Sequence, residues 1–121
     1  MTVRLNRLKT RGDFLRVAAT RARAVRPGLV LQAAPQPQAP GASPRVGFTA
    51  SRRVGNAVAR NRAKRRLRAA AAAVLPERGK PGTDYVLIAR GETGTRRYAE
   101  LVADLDGAVR QLARARGAHE A

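Results

Sequence analysis

Short apolar runs alternate along the chain with long polar, basic stretches, and the spacing within the runs predicts most of the elements. The first ten residues are polar and basic. Phe14, Val17 and Ala18 fall at i, i+3 and i+4, one face of a predicted helix from about Arg11 to Arg21 that Pro27 and Gly28 break off. GLVLQAA, Gly28 to Ala34, reads as a strand. PQPQAPGASP, Pro35 to Pro44, holds four of the seven prolines and reads as an exposed loop. RVGFTAS, Arg45 to Ser51, reads as a second strand with Val46, Phe48 and Ala50 on one side. Asn56 to about Val74 is alanine-rich and therefore strongly helical, with Asn56 as a cap and Pro76 and Gly79 as its end. DYVLIAR, Asp84 to Arg90, is a continuous apolar run suited to a sheet interior. A last helix near Arg97 to Arg116 places Tyr98, Leu101, Val102, Leu105, Val109 and Leu112 on one stripe. With no internal repeat, the pattern predicts one α/β domain: a small sheet, about three helices, and tails at 1–5 and 117–121 outside the ordered part.

Length agrees, since 121 residues suffice for one core only. Apolar residues make up 44% but aromatic residues 3%, so the core must be aliphatic. Charge changes the picture most. Up to Pro76 seventeen basic residues stand against one acid, Asp13, for +16; from Glu77 onward eight basic and seven acidic residues leave +1. Such an imbalance repels itself unless a polyanion neutralises it, and it places the polyanion on the first two thirds of the chain. The absence of cysteine excludes disulfides and thiolate metal sites. No run approaches eighteen apolar residues and no apolar segment follows the basic start, so a cytoplasmic location is expected. An anionic membrane fits poorly, because a surface-lying helix needs bulky apolar anchors and the most basic helix offers chiefly alanine.

That helix carries RNRAKRRLR over residues 60–68. At about 100° per residue, Ala59, Ala63, Leu67, Ala70 and Val74 lie within roughly 80° of one another and can dock on a sheet. Arg60, Lys64, Arg65 and Arg68 spread over the neighbouring arc with Asn61 among them, and Arg62 and Arg66 lie further round. Arg60–Lys64, Arg62–Arg66 and Lys64–Arg68 each set like charges at i and i+4, costing a few tenths of a kcal/mol (~0.2–0.5) per pair with no intrahelical acid as relief. Phosphate groups would remove that cost, and the preference for arginine suits forked contacts to phosphate oxygens. A histone-like or ribosomal helix would share these properties.

The residues around the helix narrow the choice. RVGFTASRRVGNAVARNRAKRRLR, Arg45 to Arg68, resembles the signature of the bacterial ribonuclease P protein family: a strand, a basic pair, a Gly-Asn-Ala turn, and an Arg-Asn-Arg motif on a basic helix. NRLKTRGDFLRV, Asn6 to Val17, looks like the family's first helix and DYVLIAR like its later strand, so the resemblance spans about Leu5 to Leu112. It implies a single α/β sandwich (an α+β, two-layer fold) with a central mixed sheet and the basic helix in a left-handed crossover. It implies an RNA-binding subunit that assists a catalytic RNA in cutting the 5′ leader from precursor transfer RNA. Magnesium would be held by the RNA, and the protein would need no cofactor, protein partner or membrane. On matching positions, Arg60, Asn61, Arg62, Lys64, Arg65 and Arg68 would face the catalytic RNA. A cleft between the first helix and the sheet would take the leader through Phe14, Phe48, Arg16, Ser51, Arg52 and Arg53. Aromatic faces stack on unpaired bases without reading sequence, at roughly 1–3 kcal/mol per base. Core packing is the rival role for Phe14 and Phe48, and simple tolerance the rival for Asn61. Gly55 is expected to serve the turn, and Tyr85 and Tyr98 to pack. Ala18 and Gln32 stand where the family often has further aromatics, which shifts the expected leader grip from stacking towards charge.

No catalytic site of the chain's own is expected. His119 is the single histidine, two residues from the end. Asp104 and Asp106 point about 200° apart on a helix and cannot share a metal, while Asp13 and Asp84 read as helix-first-turn and strand-start residues. The alternatives are a ribosomal RNA-binding protein, which would lack the ordered RVG…SRRVGNAVARNR pattern, a nucleoid-type DNA binder, and an independent nuclease.

Overall fold

Thr10 starts the first helix. Its side-chain oxygen accepts from the Asp13 amide at 3.2 Å and its hydroxyl donates to the Asp13 carboxylate at 3.0 Å, so the cap and the first-turn acid hold each other. In the computed structural model, which describes the backbone of residues 5–37 and 43–120 and side chains up to 115, helix α1 then runs Arg11–Ala19. It follows a two-residue strand β1 (Asn6–Arg7) and precedes strands β2 (Arg23–Val25), β3 (Leu29–Pro35) and β4 (Arg45–Thr49). A 3-10 turn (Arg52–Val54) leads into α2 (Ala57–Arg78), and β5 (Thr83–Ala89) and α3 (Tyr98–Glu120) complete the chain.

The strands form one sheet in the order β1-β4-β5-β3-β2. β1, β4 and β5 are mutually parallel neighbours, whereas β3 runs antiparallel to both β5 and β2. The parallel pair β4–β5 needs a crossover, and α2 supplies it. β5 is central and covered on both sides, which is why its sequence is apolar without alternation.

Alternate positions feed two cores. Leu29, Leu31, Ala33, Val46, Tyr85 and Leu87 face Ala63, Leu67, Ala70, Ala71, Val74 and Leu75 of α2 and Leu101, Leu105, Ala108, Val109 and Leu112 of α3. On the opposite face, Ala34 and Val86 meet Val17 and Leu8, with Phe14 and Ile88 partly buried against them. The larger core contains one aromatic residue among its fully packed members, Tyr85, and is otherwise aliphatic.

The expected α+β sandwich with a mixed sheet and three helices is the fold observed. Boundaries differ: α1 ends at Ala19 and β4 at Thr49, each two residues before the expected Arg21 and Ser51. α2 does not stop before Pro76 but continues to Arg78, because proline's fixed φ is itself helical and the Gly79 amide still reaches the Leu75 carbonyl at 2.8 Å. α3 runs on to Glu120. The proline-rich segment is tied at its ends: Gln36 is buried, its amide donating to the carbonyls of Ser43 at 3.0 Å and Thr83 at 3.3 Å. Residues 38–42, 1–4 and 121 and the His119 side chain lie outside the described residues.

Candidate nucleic-acid interface

The basic helix is aimed by the turn before it. Gly55 has φ 144°, a conformation L side chains rarely adopt, and a Cβ there would stand 2.9 Å from that of Ala59. Asn56 then caps α2, its side-chain oxygen accepting from the Ala59 amide at 2.9 Å. With the start fixed, Ala63, Leu67, Ala70 and Val74 turn inward as their spacing predicts, joined by Ala71 and Leu75. The arginines consequently turn outward: Asn61, Arg62, Arg65 and Arg68 are exposed, and Arg60 and Lys64 are half-buried.

Among the described residues, no acid pairs with Arg60, Lys64, Arg65 or Arg68. The ion pairs among the described residues join Asp13 and Asp84 to Arg16 and Arg45, Asp106 to Arg78 and Arg110, and Glu100 and Asp104 to Arg96. Arg60, Lys64, Arg65 and Arg68 have neither an ion pair nor a hydrogen-bonding side-chain partner among the described residues. Their mutual repulsion is left for an external anion to relieve.

Two arginines of the same helix have other work. Arg62 Nε donates to the Gly94 carbonyl at 3.1 Å, and Arg66 donates to the carbonyls of Thr93 and Arg96. Together they clamp the 91–97 segment, whose Thr93 is fully buried and donates to the Gly28 carbonyl at 2.6 Å while accepting from the Arg90 amide at 2.7 Å. Arg62 is therefore only partly available to a ligand, which the sequence pattern does not reveal because the carbonyl it binds is 32 residues away. Tyr98, expected in the α3 packing stripe, is instead 46% exposed beside Arg62, Arg65 and Ala69, since it stands at the first helical position where α3 has not yet met the sheet. Tyr85 does pack, with its hydroxyl oxygen accepting from the Lys80 amide at 2.9 Å.

The other face of the sheet holds the expected cleft residues in a different grouping. Phe14 lies over Gly47: a Cβ on that glycine would meet the ring at 2.5 Å, so the ring rests on bare backbone. Gln32, in register with Val86, and Thr49, in register with Ile88, share this face and are half-buried like Ile88, and Ala18 is exposed. Phe48 is not part of this groove. It pairs in register with Leu87, whose side chain faces α2 and α3, and it packs against that larger core with the Arg7 guanidinium 5.7 Å from its ring centre. A strand's alternation sets adjacent residues on opposite faces, so Gly47 and Phe48 cannot serve the same groove.

Arg16 is also placed differently. It donates to the Pro35 carbonyl at 2.9 Å and to the fully buried Asp84 carboxylate, which Arg45 grips by a fork at 2.8 and 2.7 Å. That hydrogen bond is the main cause raising the Arg45 pKa above its ordinary value, against the opposing effect of burial. Asp13 approaches both arginines at 3.6 and 3.7 Å. The cluster fastens α1 to the sheet, and Arg16 is committed to it. Ser51, Arg52 and Arg53 are exposed in the turn joining β4 to α2, between the groove and the ridge, and neither arginine has an ion pair among the described residues.

The arrangement suits binding. Among the described residues there is no group of three or more His, Cys, Asp or Glu able to hold a metal ion, and no helix is long and apolar enough to cross a membrane.

Known proteins share this pattern. The family model described as Ribonuclease P matches residues 3–113. The ribonuclease P protein component of Paramagnetospirillum magneticum is 50% identical over 123 aligned positions, covering 100% of this chain and 92% of that protein. That of Caulobacter vibrioides is 48% identical, covering 93% and 74%. In fold the chain is similar to the Staphylococcus aureus RNase P protein, with TM-score 0.71, 22% identity, and coverage of 86% and 92%. It is also similar to the RNase P protein from Thermotoga maritima, with TM-score 0.65, 24% identity, and coverage of 83% and 91%.

Proposed function

The chain belongs to the ribonuclease P protein family, whose members work with the ribonuclease P RNA in transfer RNA 5′ processing, and from that premise we propose a distinct task for each face of its sheet. The outer surface of α2 binds the catalytic RNA through Arg60, Lys64, Arg65 and Arg68, with Asn61 and the free part of Arg62 alongside. The groove beside α1 holds the single-stranded 5′ leader of precursor transfer RNA, with Phe14 as its stacking platform and Arg52 and Arg53 at its end. The hydrolysis belongs to the RNA and to magnesium ions that the RNA holds; the protein supplies charge and position, needs no cofactor or protein partner of its own, and acts in the cytoplasm.

One observation carries the reading: a row of four cations on one helix with no ion-pairing anion among the described residues. Repulsion of this kind weakens the free fold, and a bound polyanion relieves it. Phosphates spaced along an RNA strand supply that compensation, and arginine's fork fits their oxygens.

The test is reconstitution. Purified protein is mixed with ribonuclease P RNA and precursor transfer RNA at low magnesium, where the RNA alone is expected to be slow. Restored cleavage supports the proposal, whereas cleavage by the protein without that RNA overturns the division of labour. The leader groove has its own test in Phe14→Leu, which keeps an apolar side chain over Gly47 but removes the flat ring. Loss of one stacked base predicts about fivefold or greater weakening towards precursor, from roughly 1–3 kcal/mol per base, with affinity for mature transfer RNA unchanged. Equal losses for the two would assign Phe14 to packing alone.

A further inference from the structure

Neither core packing nor ion pairing accounts for one stripe on the outer surface of α2. Val58, Arg62, Arg65 and Ala69 stand at i, i+4, i+7 and i+11, within about 60° of one another at roughly 100° per residue. Val58 is 76% exposed, more than any other large apolar side chain among the described residues. Across the stripe sits Tyr98, and Arg62, Arg65, Arg66, Ala69 and Tyr98 line an open depression of about 340 Å³.

The backbone that carries Tyr98 is anchored just before it. The Arg62 and Arg66 clamp on the carbonyls of Thr93, Gly94 and Arg96 fixes the segment that delivers the first turn of α3. The Tyr98 hydroxyl has no hydrogen-bond partner among the described residues, and the residue is 46% exposed. A surface meant only for phosphates has no use for an aromatic ring and an exposed valine. An unstacked base does, because its flat face loses water against a ring while its phosphate is drawn to the neighbouring guanidiniums.

We propose that the depression between α2 and the first turn of α3 takes one unpaired nucleotide of the catalytic RNA, its base against Tyr98 and its phosphate on Arg65. This rests on the reading that α2 faces that RNA. The affinity of the full chain for ribonuclease P RNA is measured across a salt series for the parent, Tyr98→Leu, Tyr98→Phe and Arg65→Ala. Tyr98→Leu is expected to bind about tenfold more weakly with an unchanged salt slope, because stacking releases no counterions. Tyr98→Phe stays within about twofold of the parent, and Arg65→Ala lowers the slope by roughly 0.7–0.9. A second readout does not depend on how well the leucine variant folds. The chain has two tyrosines, of which Tyr85 is buried, so 3-fluorotyrosine labelling yields two ¹⁹F signals, and Tyr98→Phe assigns them. RNA binding should shift the Tyr98 signal and leave that of Tyr85 in place. Parent-like affinity of Tyr98→Leu, or an unmoved Tyr98 signal, overturns the nucleotide site while a flattened slope in Arg65→Ala keeps the α2 interface. A parent chain that ignores the RNA overturns both.

Discussion

Changing Arg60, Lys64, Arg65 and Arg68 together to alanine is expected to cost two to three orders of magnitude in affinity for ribonuclease P RNA at about 0.15 M salt and to leave the fold intact. Each phosphate contact contributes roughly 0.7–0.9 to the slope of log affinity against log salt, so four lost contacts lower that slope by about three. The fold should survive because none of these side chains has an ion-pair or hydrogen-bond partner among the described residues. It should even gain slightly, since alanine favours helix and the Arg60–Lys64 and Lys64–Arg68 repulsions disappear. Filter binding over a salt series gives the slope, and thermal unfolding by circular dichroism gives the stability. A variant with the parent's salt slope would show the ridge to be a solvated surface.

Asp84→Asn should produce the largest loss of stability. Asp84 is fully buried and receives both Arg16 and Arg45, so its neutral replacement leaves two guanidiniums facing an amide that cannot match them. Removing one partner of a buried pair typically costs about 3–5 kcal/mol. Here the arginine side chains are 30% and 32% exposed and can turn partly to water, which reduces the expectation to about 2–3 kcal/mol. Arg16→Met should cost about 1 kcal/mol, because Asp84 keeps its fork with Arg45. Urea unfolding distinguishes the two variants: equal midpoints would mean that the cluster does not act through its shared carboxylate.

The contrast between these clusters explains what could be read from sequence. β3, β4, β5 and the buried stripe of α2 obey local periodicities, and their residues announce them. β1 and β2 are two and three residues long, too short for any alternation to show, and exist because longer neighbours offer them hydrogen bonds. The ridge on α2 was legible because four of its cations follow helical spacing. Arg16, Arg62 and Arg66 resemble them in type, yet their partners Asp84, Gly94, Thr93 and Arg96 are distant in the chain and nothing local marks them. The family resemblance groups Phe48 with Phe14 in one cleft, whereas the parity of β4 assigns them to opposite faces. Tyr98 fits the α3 stripe by spacing, and only its position at the helix start exposes it.

The placement of the groove and the ridge on opposite sides of one sheet gives the molecule the properties of a calliper. Packed layers sit about 10 Å apart and a helix adds roughly 5 Å of radius, so two strands bound as proposed would be separated by on the order of 15–20 Å. That spacing would be set by the thickness of β4, β5 and α2 rather than by any of the proposed contact residues. Leaders of any sequence would thus be presented at one fixed offset from the ribozyme, and changes within the larger core would alter where a cut falls before they altered how tightly either strand is held.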